Sequence, residues 1–280
     1  MSHSFPTRRS SDLRGWLYLY HEVQRLGFTK DSAGSKTATK TALKHLHKQV
    51  ASTELRKKLT PNYALGCKRV LLSDTYYPAL QRTNVTVQTK AIRQITPLGI
   101  QTTDGQEHAF DAIVCATGFD LEAMSHKVDF KGIGGISLQE QWARGPMAYK
   151  GTCVEGMPNF YMLLGPNTAT GHTSTLLYIE AQIGFILRTL KELHQREASA
   201  IVLKTGAMQT FDAGLQAQMK TTVWSGSCAS WYKKETANGG RIVALWPGFT
   251  GQFKKMLARE SYQNFQFFSA NKSAPSSPSA

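Results

Sequence analysis

The sequence contains no GxGxxG, the glycine fingerprint that turns a chain beneath a dinucleotide pyrophosphate. The nearest approach, GIGG at 132–135, lacks the third glycine and precedes no helical pattern. Acidic residues are scarce, 19 against 33 Lys and Arg, which leaves a formal net charge of +14. Such a surplus can mark a nucleic-acid footprint, but residues 1–60 alone hold 12 Lys/Arg and 4 Asp/Glu, and the remainder is only mildly basic. The four cysteines, Cys67, Cys115, Cys153 and Cys228, include no CxxC pair. That spacing argues against a zinc site, a redox dithiol or a disulfide framework, and makes a reducing cytoplasm the simplest setting. No apolar run approaches the ~18 residues of a membrane-spanning helix, and residues 1–14 lack the apolar centre of a secretory signal.

What is present suits a globular chain of one large or two small domains: 280 residues, 41% of them apolar. Residues 16–30 and 41–59 carry apolar side chains at helical spacing, separated by DSAGSKTATK, and predict a helical hairpin whose lysines form a solvated face. From Pro61 the texture changes. NVTVQT, AIRQIT, GIQTT and FDAIVCAT predict a small β-meander that ends in a buried strand, and MPNFYMLLGP (157–166) predicts a further strand. In TLLYIEAQIGFILRTLKELHQRE, the spacing of Leu176, Ile179, Ile183, Ile186, Leu187, Leu190 and Leu193 predicts an amphipathic helix that Ser174 or Thr175 can cap. A shorter helix is expected near 207–223, and residues 270–280 read as a low-complexity tail.

Four stretches carry candidate chemistry. FDAIVCATGFD (110–120) ends a strand in Thr117-Gly118, at the sheet edge where open α/β folds bind ligands. PNYALGCKRVLLSDTYYPAL (61–80) sets Lys68 and Arg69 side by side, one able to reach a phosphate and the other an adjacent anion; a solvated basic turn would look the same. LLGPNTATGHTS (163–174) joins a strand to a helix N-terminus through Gly165, Asn167, Gly171, His172 and Ser174, and its exposed amides would suit an anionic or electron-rich ring edge. His172 serves equally well as a structural cap. Residues 223–250 carry Trp224, Trp231, Tyr232, Trp246 and Phe249, which either line a pocket for a flat ligand or fill a core.

In series, LTPxYxxGCKRxxxSxxYYPAL, ATGFD, LLGPNTxxGHxS and SWY followed by GRIVALWPGFT resemble the C-terminal half of the flavin-dependent monooxygenases. The Baeyer–Villiger group that includes the hydroxyacetophenone monooxygenases is the nearest in pattern, and the resemblance runs from about Leu59 to about Phe253. It implies a two-dinucleotide-binding-domain, Rossmann-like α/β flavoprotein fold lacking its N-terminal FAD glycine-motif half. It also implies FAD and NADPH as cofactors. A flavin C4a-peroxide would insert one oxygen atom from O2 into a ketone substrate, or oxygenate a nitrogen or sulfur centre in the alternative reading.

Carried over by residue, Arg69 matches the catalytic arginine and Lys68 the residue near the 2′-phosphate. Thr117 and Gly118 match the linker between nucleotide domains. Gly165, Pro166 and Asn167 match the segment beside the flavin, with His172 following, and Trp231 matches an aromatic residue near NADP and substrate. The implied division is 15–115 as the end of the NADPH domain, 116–268 as the end of the FAD domain, and 269–280 as disordered. The family's N-terminal FAD motif, FxGxxxHxxxW and second glycine motif are absent here, so the isolated chain is expected to be inactive. Residues 4–13, SFPTRRSSDL, resemble a translated sequencing adapter, and 1–14 are set aside as artefact or disorder. A non-catalytic basic nucleic-acid module is the reading from another class; residues 1–58 lack a recognised motif for it, and neither a nucleic-acid partner nor a membrane span is expected.

Overall fold

The computed structural model describes residues 7–118, 128–234 and 240–269. In chain order the elements are helices α1 (Thr7–Gln24), α2 (Ala33–Gln49), α3 (Thr53–Leu59) and the one-turn α4 (Tyr76–Ala79), then strands β1 (Ile92–Thr96), β2 (Gly99–Thr102) and β3 (Glu107–Ala109). There follow the one-turn α5 (Leu138–Gln141), α6 (Leu176–Gln195), β4 (Ala200–Leu203), α7 (Ala207–Met219), β5 (Lys233–Lys234), β6 (Arg241–Ile242), α8 (Thr250–Ala258) and β7 (Phe265–Phe268). Two compact units divide them: Met1–Thr39 with Tyr63–Val70 and Val128–Ala280, and Lys40–Asn62 with Leu71–Lys127. No helix among the described residues is long and apolar enough to cross a membrane. The tail at 270–280 lies outside the described residues, whereas residues 7–14 form the first turns of α1.

The second unit holds the predicted meander, an antiparallel β1–β2–β3 sheet whose first turn is closed by the Gly99 amide donating to Thr96 Oγ1 at 3.1 Å. Its helical part buries Leu46 and Val50. The Gln81 amide fastens it, donating to the Gln49 carbonyl at 2.7 Å and accepting from the Ala51 amide at 3.2 Å. Ser52 Oγ accepts from the Leu55 amide and starts α3, as its residue type favours. Two expected strands are absent. NVTVQT and FDAIVCAT form no ladder, and residues 110–118 are exposed. A buried strand needs neighbours on both edges, and beyond the Phe110 amide donating to the Leu98 carbonyl at 3.1 Å this stretch joins no ladder among the described residues.

In the first unit, β4 pairs antiparallel with β7, and α6 packs on α8 over a core that includes Tyr178, Phe185, Trp224, Tyr232, Trp246 and Phe253. Much of the Trp-rich 223–250 stretch therefore fills a core. The break read at DSAGSK is instead the start of α2, because Ser32 Oγ accepts from the Ser35 amide at 3.1 Å. Lys36, Lys40, Lys44 and Lys48 on that helix are exposed, as a solvated face requires. MPNFYMLLGP is not a strand: Asn159 and Leu164 have left-handed φ of 52° and 53°, which break any β run.

Helix α6 matches its predicted span but turns a different face inward. The buried side chains are Tyr178, Gln182, Phe185, Thr189 and Leu193, while Leu176, Ile183, Leu187 and Leu190 are exposed. The helix is apolar on more than one side, so periodicity alone did not choose the stripe.

Candidate functional site

The Lys68–Arg69 loop is held from beneath. The Trp224 indole donates to the Gly66 carbonyl at 3.0 Å, and the Cys67 amide closes a turn on the Ala64 carbonyl at 3.0 Å. Gly66 has φ of 87°, and a Cβ there would lie 2.5 Å from the Phe28 ring, so both backbone and packing require glycine. Cys67 and Cys228 form a disulfide with Cα atoms 6.4 Å apart, which corrects the expectation that the cysteines are unpaired. Sequence spacing could not show it, because the two lie 161 residues apart and meet only through the fold.

On this base Lys68 and Arg69 are both exposed. Lys68 Nζ sits 5.0 Å above the Tyr63 ring. Arg69 lies close enough for its charge to oppose the upward shift that burial imposes on the Tyr232 phenol. Trp231, half-exposed, stands edge-on to Tyr232 with centroids 4.6 Å apart. The structure thus brings Arg69 and Trp231 to the buried Tyr232, with Lys68 beside Arg69 over the Tyr63 ring.

The second predicted segment is a strap. Asn167 is buried with φ of 59°, and its side-chain amide donates to the carbonyls of Ile242 and Leu245 at 2.9 and 3.1 Å. Ala169 pairs in parallel with Leu245. The Asn167 side chain is therefore engaged by the protein itself, and Gly165 and Pro166 are half-buried beside it. The Gly165 carbonyl accepts from Thr168 Oγ1 at 2.6 Å. Ahead of it, the buried Gln182 accepts from the Leu164 amide at 3.0 Å and donates to the Gly151 carbonyl at 2.8 Å. A glutamine within an apolar helix face was the only sequence sign of this clamp. At the other end of the strap the Leu176 amide, at the start of α6, donates to Ser174 Oγ at 3.3 Å, while Thr175 makes no side-chain cap.

His172 is buried, its Nδ1 3.1 Å from Thr170 Oγ1 and its Nε2 3.5 Å from Glu22 Oε1. Burial pushes its pKa down, and the Glu22 carboxylate partly opposes this. Glu22 also accepts from the Thr250 amide at 3.1 Å and so caps α8, where a negative charge is favoured. Tyr178 sits over the same acid, and burial pushes its phenol up to about 12. Arg25 next along the chain donates through Nε to the Pro247 carbonyl at 2.6 Å. The His172 side chain is thus engaged by the protein itself, and its partner Glu22, one of two acids in α1 with Asp12, carries no motif that marks it in the sequence. Phe28 joins the two halves of the site: its ring lies 5.5 Å from Trp224 and 6.3 Å from His172, against Gly66 and Gly171.

Thr117 and Gly118 belong to the other compact unit and are exposed. Gly118 has φ of 92° with open space where a Cβ would be, and Phe119 and Asp120 lie outside the described residues. Of two cavities, one of about 230 Å³ beside Arg25 takes Phe249 of the aromatic stretch into its lining, the other of about 470 Å³ lies beside Tyr149 and Lys204, and neither is lined by Lys68, Arg69, Trp231 or residues 165–172.

No family model matches the chain. Among solved structures, an oxidized steroid monooxygenase bound to NADP superposes with a TM-score of 0.74 at 28% identity, over 87% of this chain and 47% of that one. Cyclohexanone monooxygenase from Rhodococcus sp. Phi1 bound to NADP+ gives 0.74 at 26% identity, over 86% and 46%. The chain therefore has part of the α/β fold of the flavin monooxygenases.

Curated relatives narrow the class. A Baeyer–Villiger monooxygenase of Pseudomonas aeruginosa is 41% identical over 244 residues, 87% of this chain and 46% of its own length. One from Streptomyces coelicolor is 35% identical over 255 residues, 90% and 49%. The chain spans about half the length of the curated relatives it matches, and over that half it is a homologue of the Baeyer–Villiger monooxygenases.

Proposed function

We propose that the chain supplies the catalytic arginine and the C-terminal flavin contacts of an FAD- and NADPH-dependent monooxygenase, one that inserts an oxygen atom of O2 into a small-molecule ketone in the cytoplasm. The observation that carries this is the Lys68–Arg69 loop, open at its tip and pinned at its base, in a homologue of Baeyer–Villiger monooxygenases. A guanidinium that stays charged at every working pH is suited to hold negative charge beside the reacting centre. Lys68 supplies a point charge for a 2′-phosphate, and half-exposed Trp231 a flat face for a ring.

The residues present fit one edge of such cofactors. Two cations that pair with no acid among the described residues, an exposed indole, and exposed Leu163 and Leu164 ahead of Gly165 supply cationic and apolar groups for such a ligand. FAD and NADPH, when bound, would supply the redox chemistry. The chain's own part is to hold the 2′-phosphate of the nicotinamide cofactor with Lys68, to keep Arg69 in place through Gly66, Trp224 and Phe28, and to back the flavin with the strap at 165–167. On this reading residues 15–115 close the NADPH domain, 116–268 close the FAD domain, and Thr117-Gly118 link them. The isolated chain would hold FAD poorly and not turn over.

A chimera in which residues 15–268 replace the matching half of the Pseudomonas relative tests this. Ester formation from an aryl ketone, abolished by Arg69→Ala with the flavin retained, is the expected result. A flavin-loaded chimera that oxygenates only a thioether would favour N- or S-oxygenation instead. Expression of the chain alone with excess FAD is expected to give no yellow protein that oxidises NADPH.

A further inference from the structure

We infer that Cys67 and Cys228 are a reversible thiol–disulfide site, with low-molecular-weight disulfides as oxidant and dithiols as reductant, whose oxidation locks the Lys68–Arg69 loop onto the 223–232 segment. The two Cα atoms stand 6.4 Å apart, inside the ordinary disulfide range of about 4.4–6.8 Å. Their surroundings differ in a way that suits exchange. Cys67 is 2% exposed and follows Gly66, which the Trp224 indole and the Phe28 ring hold in place, while Cys228 is half-buried and open to an incoming reagent. The other two cysteines cannot substitute. Cys153 is buried with its thiol pushed up by burial, and Cys115 belongs to the other compact unit.

The bridge closes 161 residues of chain, and its ends fall one residue before Lys68 and three before Trp231. Disulfides of cytoplasmic proteins are mostly transient or redox-sensing, so a pair at this place reads as a control point, not a staple for folding. In the forward direction the Cys228 thiolate attacks one sulfur of the disulfide RSSR and expels RS⁻, giving a Cys228–S–S–R mixed disulfide. The Cys67 thiolate then attacks the Cys228 sulfur and expels the second RS⁻. Two protein thiols and RSSR become one protein disulfide and two RSH, and a dithiol reverses both steps. The lock stands on geometry; its reading as a control point rests on the cytoplasmic setting, and its bearing on catalysis on the function, both proposed above.

The purified chain is equilibrated with excess oxidised glutathione, or with dithiothreitol, then denatured and alkylated with N-ethylmaleimide for peptide mapping. The oxidised sample is expected to show a Cys67–Cys228 cross-linked peptide with alkylation only at Cys115 and Cys153, and the reduced sample alkylation at all four. Backbone amides at 64–70 and 224–232 are expected to exchange at least tenfold more slowly in the oxidised form, and Cys228→Ser to exchange like the reduced form under both conditions. Four alkylated cysteines after oxidation, a cross-link between other cysteines, or equal exchange in the two redox states would overturn the inference. None of these readouts involves turnover, so failure of the monooxygenase reading would leave them unchanged.

Discussion

Asn167→Ala removes the side chain that fastens the strap, and the structure sets the size of the effect. Two carbonyls lose a donor, but not equally. Ile242 keeps a second hydrogen bond from Gln216 Nε2 at 2.8 Å, so losing Asn167 costs it about 0.5–1.5 kcal/mol. Leu245 has its hydrogen bond from Asn167 at 3.1 Å and is buried, so an orphaned carbonyl there costs about 1–3 kcal/mol. The left-handed φ of 59° adds about 1 kcal/mol for alanine, since asparagine tolerates that region and alanine does not. The sum is about 2.5–5.5 kcal/mol, large against the 5–15 kcal/mol typical of a domain. Urea unfolding followed by tryptophan fluorescence reads it. Asn167→Gly should lose the same hydrogen bonds without the backbone strain and fall between wild type and Asn167→Ala. An alanine variant within about 0.5 kcal/mol of wild type would refute the account of the strap.

Three further outcomes follow from the same geometry. His172 has a folded pKa below its unfolded value, so its contribution to stability is fully present above about pH 6.5 and is lost as pH falls from there through the lower folded value. His172→Gln should therefore flatten the decline in stability between pH 7 and 5, and parallel wild-type and variant curves would contradict this. Lys150 and Glu260 pair at 2.6 Å with side chains only 13% and 3% exposed, and Glu260 also accepts from the Tyr149 hydroxyl. Glu260→Ala should cost about 3–5 kcal/mol in urea unfolding, against less than about 1 kcal/mol for Glu192→Ala, whose pairing with Arg196 is exposed. Phe28→Ala opens a void between Gly66, Gly171 and Trp224 and should cost about 3–5 kcal/mol with a red shift of tryptophan emission; a loss under about 1 kcal/mol would mean the ring is not the hub.

Local rules reached those elements whose stability is local. The meander from Ile92 to Ala109 was legible because its strands are joined by short turns of turn-forming residues, and the span of α6 because its apolar residues recur at helical spacing. The motif series around Lys68, Arg69, Gly165 and Trp231 was legible as a resemblance, and the homologues found bear out the family it pointed to. The roles of the individual residues were not legible in the same way. Asn167 and His172 read as ligand contacts but have their side chains engaged by the protein, because the partners at Ile242, Leu245 and Glu22 are supplied by distant parts of the chain.

The sequence by itself determined the helical opening of the chain, the meander from Ile92 to Ala109, the span of α6 and the placing of two cations on one loop, and its motif series pointed to the class of fold. Tertiary structure decided which face of α6 is inside, that FDAIVCAT is exposed and not a buried strand, that Glu22 caps α8, and that Cys67 meets Cys228. The physical reason is common to all four. Each depends on a neighbour far away in the chain, and hydrophobic periodicity and turn chemistry report only what a residue prefers among its nearest neighbours.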